Sequence, residues 1–348
     1  MNFDCAERNN VLKDLNNNTE KNKILLLQHN NSKAIILEQQ IFEEAIEEGL
    51  LFCNSEIPLN KIKSILSRRK IQTFIGESTK KWILHGSVIE KYLKKCKDKG
   101  EQPIILFLNT IFTEIRYPVR ALKYLKAKYN AVFCLYYIDV VSKGVSIYAN
   151  YLRENGVFDV VYTFDKQDAQ KYNLNYWQTP YSMLDLPISN SVDLYFTGVD
   201  TDRYEILNEI LKQDNLNCRM DLISVTNTNL YNDCRVSVLP TNQVRSYKEV
   251  LKSTLKSNCI LEIVRPGQSG FTLRAFEAVV YNKKLLTNNE AIKDFEFYNP
   301  QYMKVFKKVE DIDWNWVENK TCVNYHYDGS FSPVKFIKEL KCLDERKK

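Results

Sequence analysis

The sequence predicts an α/β protein of two domains, each built on a parallel sheet. Three observations predict it. The chain has 348 residues, more than one hydrophobic core usually supports. Two separate series of short apolar runs alternate with stretches of helical period, and such alternation implies right-handed crossovers within a parallel sheet. Between the series, the pattern breaks from Tyr176 to Asn190 around Pro180 and Pro187, as expected of a linker. The implied organisation is a polar lead-in over 1–22, a first domain over 23–180, a linker over 181–190 and a second domain over 191–348.

The first series opens with Lys23 to His29, a short buried strand by its run of apolar residues. A helix capped by Asn31 or Ser32 is expected to run to about Gly49. From Leu59 to Lys99 the periodicity is helical, with interruptions expected near Gly76 and Gly86. Strands are predicted at Pro103–Leu108, Ala131–Ile138 and Phe158–Phe164. Helices are predicted at Tyr117–Lys128, opened by Pro118, and at Val141–Asn155, with Gly156 just beyond its end.

The second series predicts strands at Val192–Thr197, Cys218–Val225, Val236–Leu239, Ile260–Val264 and Lys284–Thr287. Helices are expected from Asp202 to Gln213, from Ser246 to Ser257 with the spacing of a capping box, and from Phe271 to Val280. An amphipathic helix from Pro333 to Leu340 ends the chain, and it is expected to pack back on the first domain. Ligands of such sheets bind beyond the carboxyl ends of the strands, so the expected site is a cleft between two facing domains.

Composition narrows the function. Hydrophobic residues at 44% argue for a filled interior. No stretch reaches the roughly 20 apolar residues of a membrane span, and Met1 to Asn22 is too polar for a signal peptide. The expected location is the cytoplasm, with peripheral association at the inner face of the plasma membrane. Nine cysteines without a C-x-x-C pair fit reduced thiols rather than a disulfide framework or a zinc site.

The formal charge of +6 is unevenly spread, with twelve basic against five acidic residues between Glu56 and Glu101. That stretch reads either as a solvated basic surface or as one drawn to anionic lipid, where each basic residue near the surface contributes about 1 kcal/mol. No nucleic-acid motif accompanies it. A homo-oligomeric assembly is compatible with the sequence. Neither a Gly-x-Gly-x-x-Gly after a strand nor a phosphate loop ending Gly-Lys-Ser/Thr is present, which disfavours dinucleotide oxidoreductases and ATPases.

The most informative segment is Arg265-Pro-Gly-Gln268-Ser269-Gly270-Phe271-Thr272-Leu-Arg274-Ala-Phe-Glu277, lying between a strand and a helix. Only ten glycines occur in the chain, and two fall within four residues here, where a backbone must turn tightly or approach a ligand closely. A helix starting near Phe271 would aim its amides and positive dipole end at a phosphate. The plain alternative is an ordinary strand-to-helix turn; Glu277, an acid between Phe276 and Ala278, argues against it.

This segment, followed by Lys283-Lys-Leu-Leu-Thr-Asn-Asn289, resembles the donor site of GT-B glycosyltransferases, and most resembles bacterial enzymes that build capsular and lipopolysaccharide sugars. Tyr162-Thr-Phe-Asp165 and Asp193-Leu-Tyr-Phe-Thr-Gly198 share that likeness, which spans about residues 103 to 300. The resemblance implies two Rossmann-like domains and transfer of a sugar from a nucleotide donor to a glycan or lipid-linked acceptor in surface polysaccharide synthesis. The nucleotide-sugar is then a substrate, and no further cofactor or metal is implied. The resemblance also implies ribose binding by Glu277 and pyrophosphate binding by the preceding loop. Many retaining members carry two glutamates with seven residues between them; here the first falls on Ser269.

Arg203, just beyond Gly198, stands where similar enzymes present a cation to the diphosphate, with Arg274 and Arg265 as competing candidates. Its plain reading is a helix-start arginine paired with Asp200 or Asp202. His29, which ends the first strand, and Asp139, which follows the strand ending at Ile138, are the candidate general bases for an inverting reaction. Asp165 and Asp168 suit helix capping. Two Asp-x-Asp triplets, Asp200–Asp202 and Asp311–Asp313, have the spacing of cation ligands, but Asp202 reads first as a cap. Two other classes compete: a nucleotide-sugar epimerase or hydrolase on the same scaffold, and a catalytically silent partner subunit.

Overall fold

The computed structural model describes residues 23–27, 41–53, 77–113, 115–199, 203–223, 233–239, 247–264 and 270–345. Two compact units divide the chain, one of residues 1–182 and 331–348, the other of 183–330. Each holds a six-stranded sheet in which every pairing is parallel.

In the first unit, β1 (Ile24–Leu27), β2 (Leu51–Cys53), β3 (Ile104–Leu108), β4 (Val132–Tyr137), β5 (Val160–Thr163) and β6 (Asn175–Tyr176) lie in the order β2-β1-β3-β4-β5-β6. Side chains alternate across a strand, and here both faces are covered. Leu25, Leu27, Ile105, Phe107, Phe133, Leu135 and Tyr137 share one core. Ile24, Leu26, Ile104, Leu106, Val132, Cys134 and Tyr136 share the other. Covering both faces explains why these strands read as unbroken apolar runs rather than alternating ones.

The first of these cores is closed by three helices. They are α2 (Glu77–Asp98) through Ile89 and Leu93, α3 (Val119–Tyr129) through Leu122 and Leu125, and α4 (Ile147–Glu154) through Ala149 and Leu152. The second is closed by α1, helical over 41–47, and by the C-terminal helix, Pro333–Glu345, through Phe336, Ile337 and Leu340. The C-terminal helix thus packs back on the first sheet, and the 191–348 range read for the second domain loses its last part to the first unit.

Local signals place several ends. Pro118 stands at the N-cap of α3, and Asn130 closes that helix in the left-handed conformation at φ 48°, as asparagine can at a helix end. Asp165 caps α5 (Lys166–Tyr172), its carboxylate accepting from Asp168 N at 2.8 Å, and Asp168 is itself buried and accepts from Val141 N at 2.7 Å. The predicted break at Gly86 does not occur, since α2 runs through it. The predicted helix Val141–Asn155 begins later, as a 3-10 turn over Gly144–Ser146 leading into α4.

In the second unit, β7 (Val192–Gly198), β8 (Cys218–Ile223), β9 (Val236–Leu239), β10 (Ser257–Glu262), β11 (Lys284–Thr287) and β12 (Met303–Val305) lie in the order β12-β11-β10-β7-β8-β9. The chain builds outward from β7 to β9 and then crosses back to β10. A topological switch point therefore falls between β7 and β10, the place where open α/β sheets take ligands beyond their carboxyl ends. Helices α6 (Tyr204–Leu211), α7 (Tyr247–Thr254) and α8 (Leu273–Val280) connect strands, and α9 (Trp314–Glu318) follows β12. The capping-box serine, Ser246, lies outside the described residues.

Lys283 is 2% exposed and donates from Nζ to the Ser189 carbonyl at 2.7 Å, Asn190 Oδ1 at 2.8 Å and the Ser257 carbonyl at 2.6 Å. It fastens the entry of the second unit to β10. Replacing Lys283 with Met leaves the buried Ser257 carbonyl without this donor and frees the two part-buried oxygens of Ser189 and Asn190; it is expected to cost about 2 kcal/mol, read as a lower urea midpoint. Burial pushes the ammonium down to about 8 from 10.5. Below about 8, folded and unfolded chains are both protonated there; between about 8 and 10.5 only the unfolded chain holds the proton. Stability should therefore rise with pH across that window, and this rise should be missing from Lys283→Met.

Candidate functional site

The candidate site gathers at the carboxyl ends of β7, β10 and β11. β7 ends on Gly198, where an added Cβ would lie 3.1 Å from Phe196 Cζ and 3.7 Å from Arg203 Nη1. Arg203 stands at the N-cap of α6 and reaches across the switch point. Its Nε donates to the Ile263 carbonyl at 2.6 Å and its Nη1 to the Val199 carbonyl at 2.9 Å. One guanidinium thus ties the exit of β7 to the exit of β10. Asp200 and Asp202, the acids suggested as its partners, lie outside the described residues.

Helix α8 follows β10. It begins at Leu273, two residues later than expected, because Thr272 is extended (φ −91°, ψ 169°) and caps it, Oγ1 accepting from Arg274 N. Phe271 packs on Phe295 with ring centroids 4.8 Å apart. The Gly270 carbonyl accepts from Asn289 Nδ2 at 3.2 Å. Arg265, Gln268 and Ser269 of the predicted loop lie outside the described residues, as does His29.

Glu277 lies inside the unit, on the buried face of α8. Expected to meet a ribose, it has 0% exposure, and its two oxygens are taken by Tyr247 Oη and Arg274 Nη1. Both carboxylate oxygens are thus engaged within the unit, each by one donor. Arg274 is drawn inward by the same pairing and also approaches Thr254 Oγ1 at 3.4 Å. Burial works against the Arg274 charge, but the Glu277 carboxylate together with Tyr247 and Tyr195 outweighs it and holds the guanidinium firmly protonated.

Sequence reasoning missed Glu262. It ends β10 at 3% exposure, accepting from Thr272 Oγ1 and Thr287 Oγ1. Burial, with the nearby Glu277 carboxylate, holds its carboxyl above the usual range, and the two threonine hydroxyls and Arg274 offset this only in part. An acid inside the apolar run Ile260-Leu-Glu-Ile-Val264 was the available signal.

In the first unit, Asp139 follows β4. Its carboxylate pairs with Lys143 Nζ at 2.7 Å and accepts from Val140 N at 2.9 Å, with the side chain 34% exposed. It is reachable from solvent but engaged in its own turn. Asp311 and Asp313 act locally: Asp311 accepts from Lys308 N at 3.1 Å, and Asp313 caps α9 through Trp316 N at 3.1 Å. Among the described residues, no group of three His, Cys, Asp or Glu is arranged to hold a metal ion. No described helix is long and apolar enough to cross a membrane.

The fold can be set beside known proteins. Among solved structures the chain is similar to a glycosyltransferase from Rickettsia africae, with a TM-score of 0.50 at 10% identity over 92% of this chain and 98% of that one. It is also similar to UDP-N-acetylglucosamine 2-epimerase from Rickettsia bellii, with a TM-score of 0.44 at 12% identity over 94% and 97%. T4 phage BGT in complex with UDP-glucose gives a TM-score of 0.38 at 11% identity over 91% of both chains. No protein-family model and no curated protein matches the sequence. The likeness is one of fold, an α/β chain with two parallel sheets of the kind expected of GT-B glycosyltransferases.

Proposed function

We propose that the chain is a nucleotide-sugar-dependent glycosyltransferase. In this reading the second unit holds the donor and the first takes a glycan or lipid-linked glycan acceptor of bacterial surface polysaccharide. The observation that carries it is the switch point of the second sheet, where Arg203 spans the exits of β7 and β10 and the N-terminus of α8 follows β10. A guanidinium and a capped helix N-terminus at one crevice suit a diphosphate, and the same pair would neutralise the leaving group as the glycosidic bond breaks.

Gly198 leaves room beside Arg203, and Gly270, Phe271 and Thr272 form the approach to α8. The loop residues Arg265, Gln268 and Ser269 complete the donor contacts of this proposal. Glu277 and Arg274 serve it from beneath, as the buried pair that seats the helix. On the acceptor side the proposed base is Asp139 or His29, taking the proton of the attacking hydroxyl. The basic stretch 56–101 would bring the enzyme to anionic lipid.

Incubation with UDP-, GDP- and CMP-sugars and a lipid-linked glycan extract tests the reading. The expected result is an elongated acceptor with release of free nucleotide. An altered sugar nucleotide without transfer would instead make the chain an epimerase, and no turnover with any donor would leave it a silent partner subunit.

A further inference from the structure

At the end of β10 a single buried carboxylate holds threonines from two separate loops. Glu262 Oε1 accepts from Thr272 Oγ1, before α8, and Oε2 accepts from Thr287 Oγ1, at the end of β11. Each threonine oxygen in turn accepts a backbone amide two residues along the chain. Arg274 N donates to Thr272 Oγ1 at 3.1 Å, and Asn289 N donates to Thr287 Oγ1 at 3.0 Å. Asn289 returns the constraint through Nδ2 to the Gly270 carbonyl at 3.2 Å. Asn288 adds a second tie between the same two exits, its Oδ1 accepting from Val264 N at 2.7 Å.

A hydroxyl has one hydrogen, so direction decides whether this network closes. An ionised carboxylate only accepts. It draws both threonine hydrogens toward itself and leaves both oxygens with lone pairs turned to the amides of Arg274 and Asn289. A carboxamide in its place offers one acceptor and one donor. One threonine would then have to aim its hydrogen elsewhere in a buried setting, where an unmatched polar group is costly. Thr287 and Asn289 are 0% and 3% exposed, so water does not readily repair the mismatch.

We infer that Glu262 is a positioning residue: its carboxylate fixes the N-terminus of α8 and the turn after β11 in the geometry with which the second unit receives the anionic part of its ligand. The inference rests on the donor-binding reading above and names the residue behind the binding loops rather than one that touches the ligand. Electrostatics alone gives the opposite expectation. Removing a negative charge near a site for an anion should tighten binding, whereas loss of the fixed geometry should loosen it.

The test uses the full chain and Glu262→Gln. In the absence of ligand, hydrogen exchange at the amides of Arg274 and Asn289 should become at least tenfold faster. Titration calorimetry with UDP and with GDP should show affinity about tenfold weaker for whichever nucleotide the unaltered chain binds, a loss typical of removing a supporting residue. Thr287→Val supplies a milder second variant in case Glu262→Gln fails to fold; it should speed exchange at Asn289 while leaving Arg274 protected. Unchanged exchange at both amides in Glu262→Gln, or faster exchange with unchanged or tighter nucleotide binding, overturns the inference. If the unaltered chain binds neither UDP nor GDP, the donor reading fails and the positioning role with it, while the exchange result still decides whether Glu262 holds the two loops.

Discussion

Glu277→Ala is expected to destabilise the second unit by about 3–5 kcal/mol, the usual cost of removing one partner of a buried ion pair. The carboxylate is wholly buried and engages both Arg274 and Tyr247. Its loss leaves a guanidinium that is only 19% exposed facing a cavity, together with a tyrosine hydroxyl that loses its acceptor. Glu277→Gln keeps the volume and one accepting oxygen, so it should cost clearly less. Denaturant unfolding followed at two probes reads both variants. An unchanged midpoint for Glu277→Ala would contradict the buried pairing of this acid with Arg274 and Tyr247. Any loss of nucleotide binding in the alanine variant should accompany the loss of stability rather than appear in a fully folded protein.

Phe336→Ala should destabilise the first unit by about 3–5 kcal/mol through transfer and cavity terms together. The ring is fully buried, and its neighbours come from four places in the chain. Tyr136, Tyr162 and Trp177 have ring centroids 5.2, 5.3 and 5.3 Å away, and Phe42 lies at 6.4 Å. These residues stand on β4, β5, the segment after β6 and α1, so the C-terminal helix closes the core of a sheet laid down some two hundred residues earlier. Thermal unfolding of the variant should show a lowered transition for the first unit. A shift confined to the second unit would contradict the packing.

Much of this architecture was legible in the sequence, because a parallel sheet covered on both faces writes itself as apolar runs. Ile104–Leu108 and Val132–Tyr137 are buried at every position. What escaped was short or locally ambiguous. β6 is two exposed residues, Asn175 and Tyr176, and carries no apolar signal. β12 is Met303-Lys-Val305 at a sheet edge, too brief to show a period. Gly86 read as a break because glycine costs about 1 kcal/mol in a helix, yet Trp82 Cη2 sits 3.0 Å from where its Cβ would be. The helix there makes room for an indole.

The site was legible in part, for a related reason. The Gly270–Thr272 approach to a helix could be seen from residue types, and Arg274 and Glu277 have the spacing of a helical pair. Tyr247, the other partner of Glu277, lies thirty residues away in sequence, and no local pattern links them. The burial of Glu277 is likewise a property of the assembled unit. Glu262 illustrates the converse, an acid hidden in an apolar run whose value appears only when Thr272 and Thr287 are brought to it.

The central claim is that the second unit takes a nucleotide diphosphate at the carboxyl ends of β7 and β10. Hydrogen exchange of the full chain with and without UDP or GDP tests it most directly. The account predicts new protection at Gly198 and Val199, at Ile263 and Val264, and at the first turn of α8. Protection confined to the first unit, or none at saturating nucleotide, would contradict it.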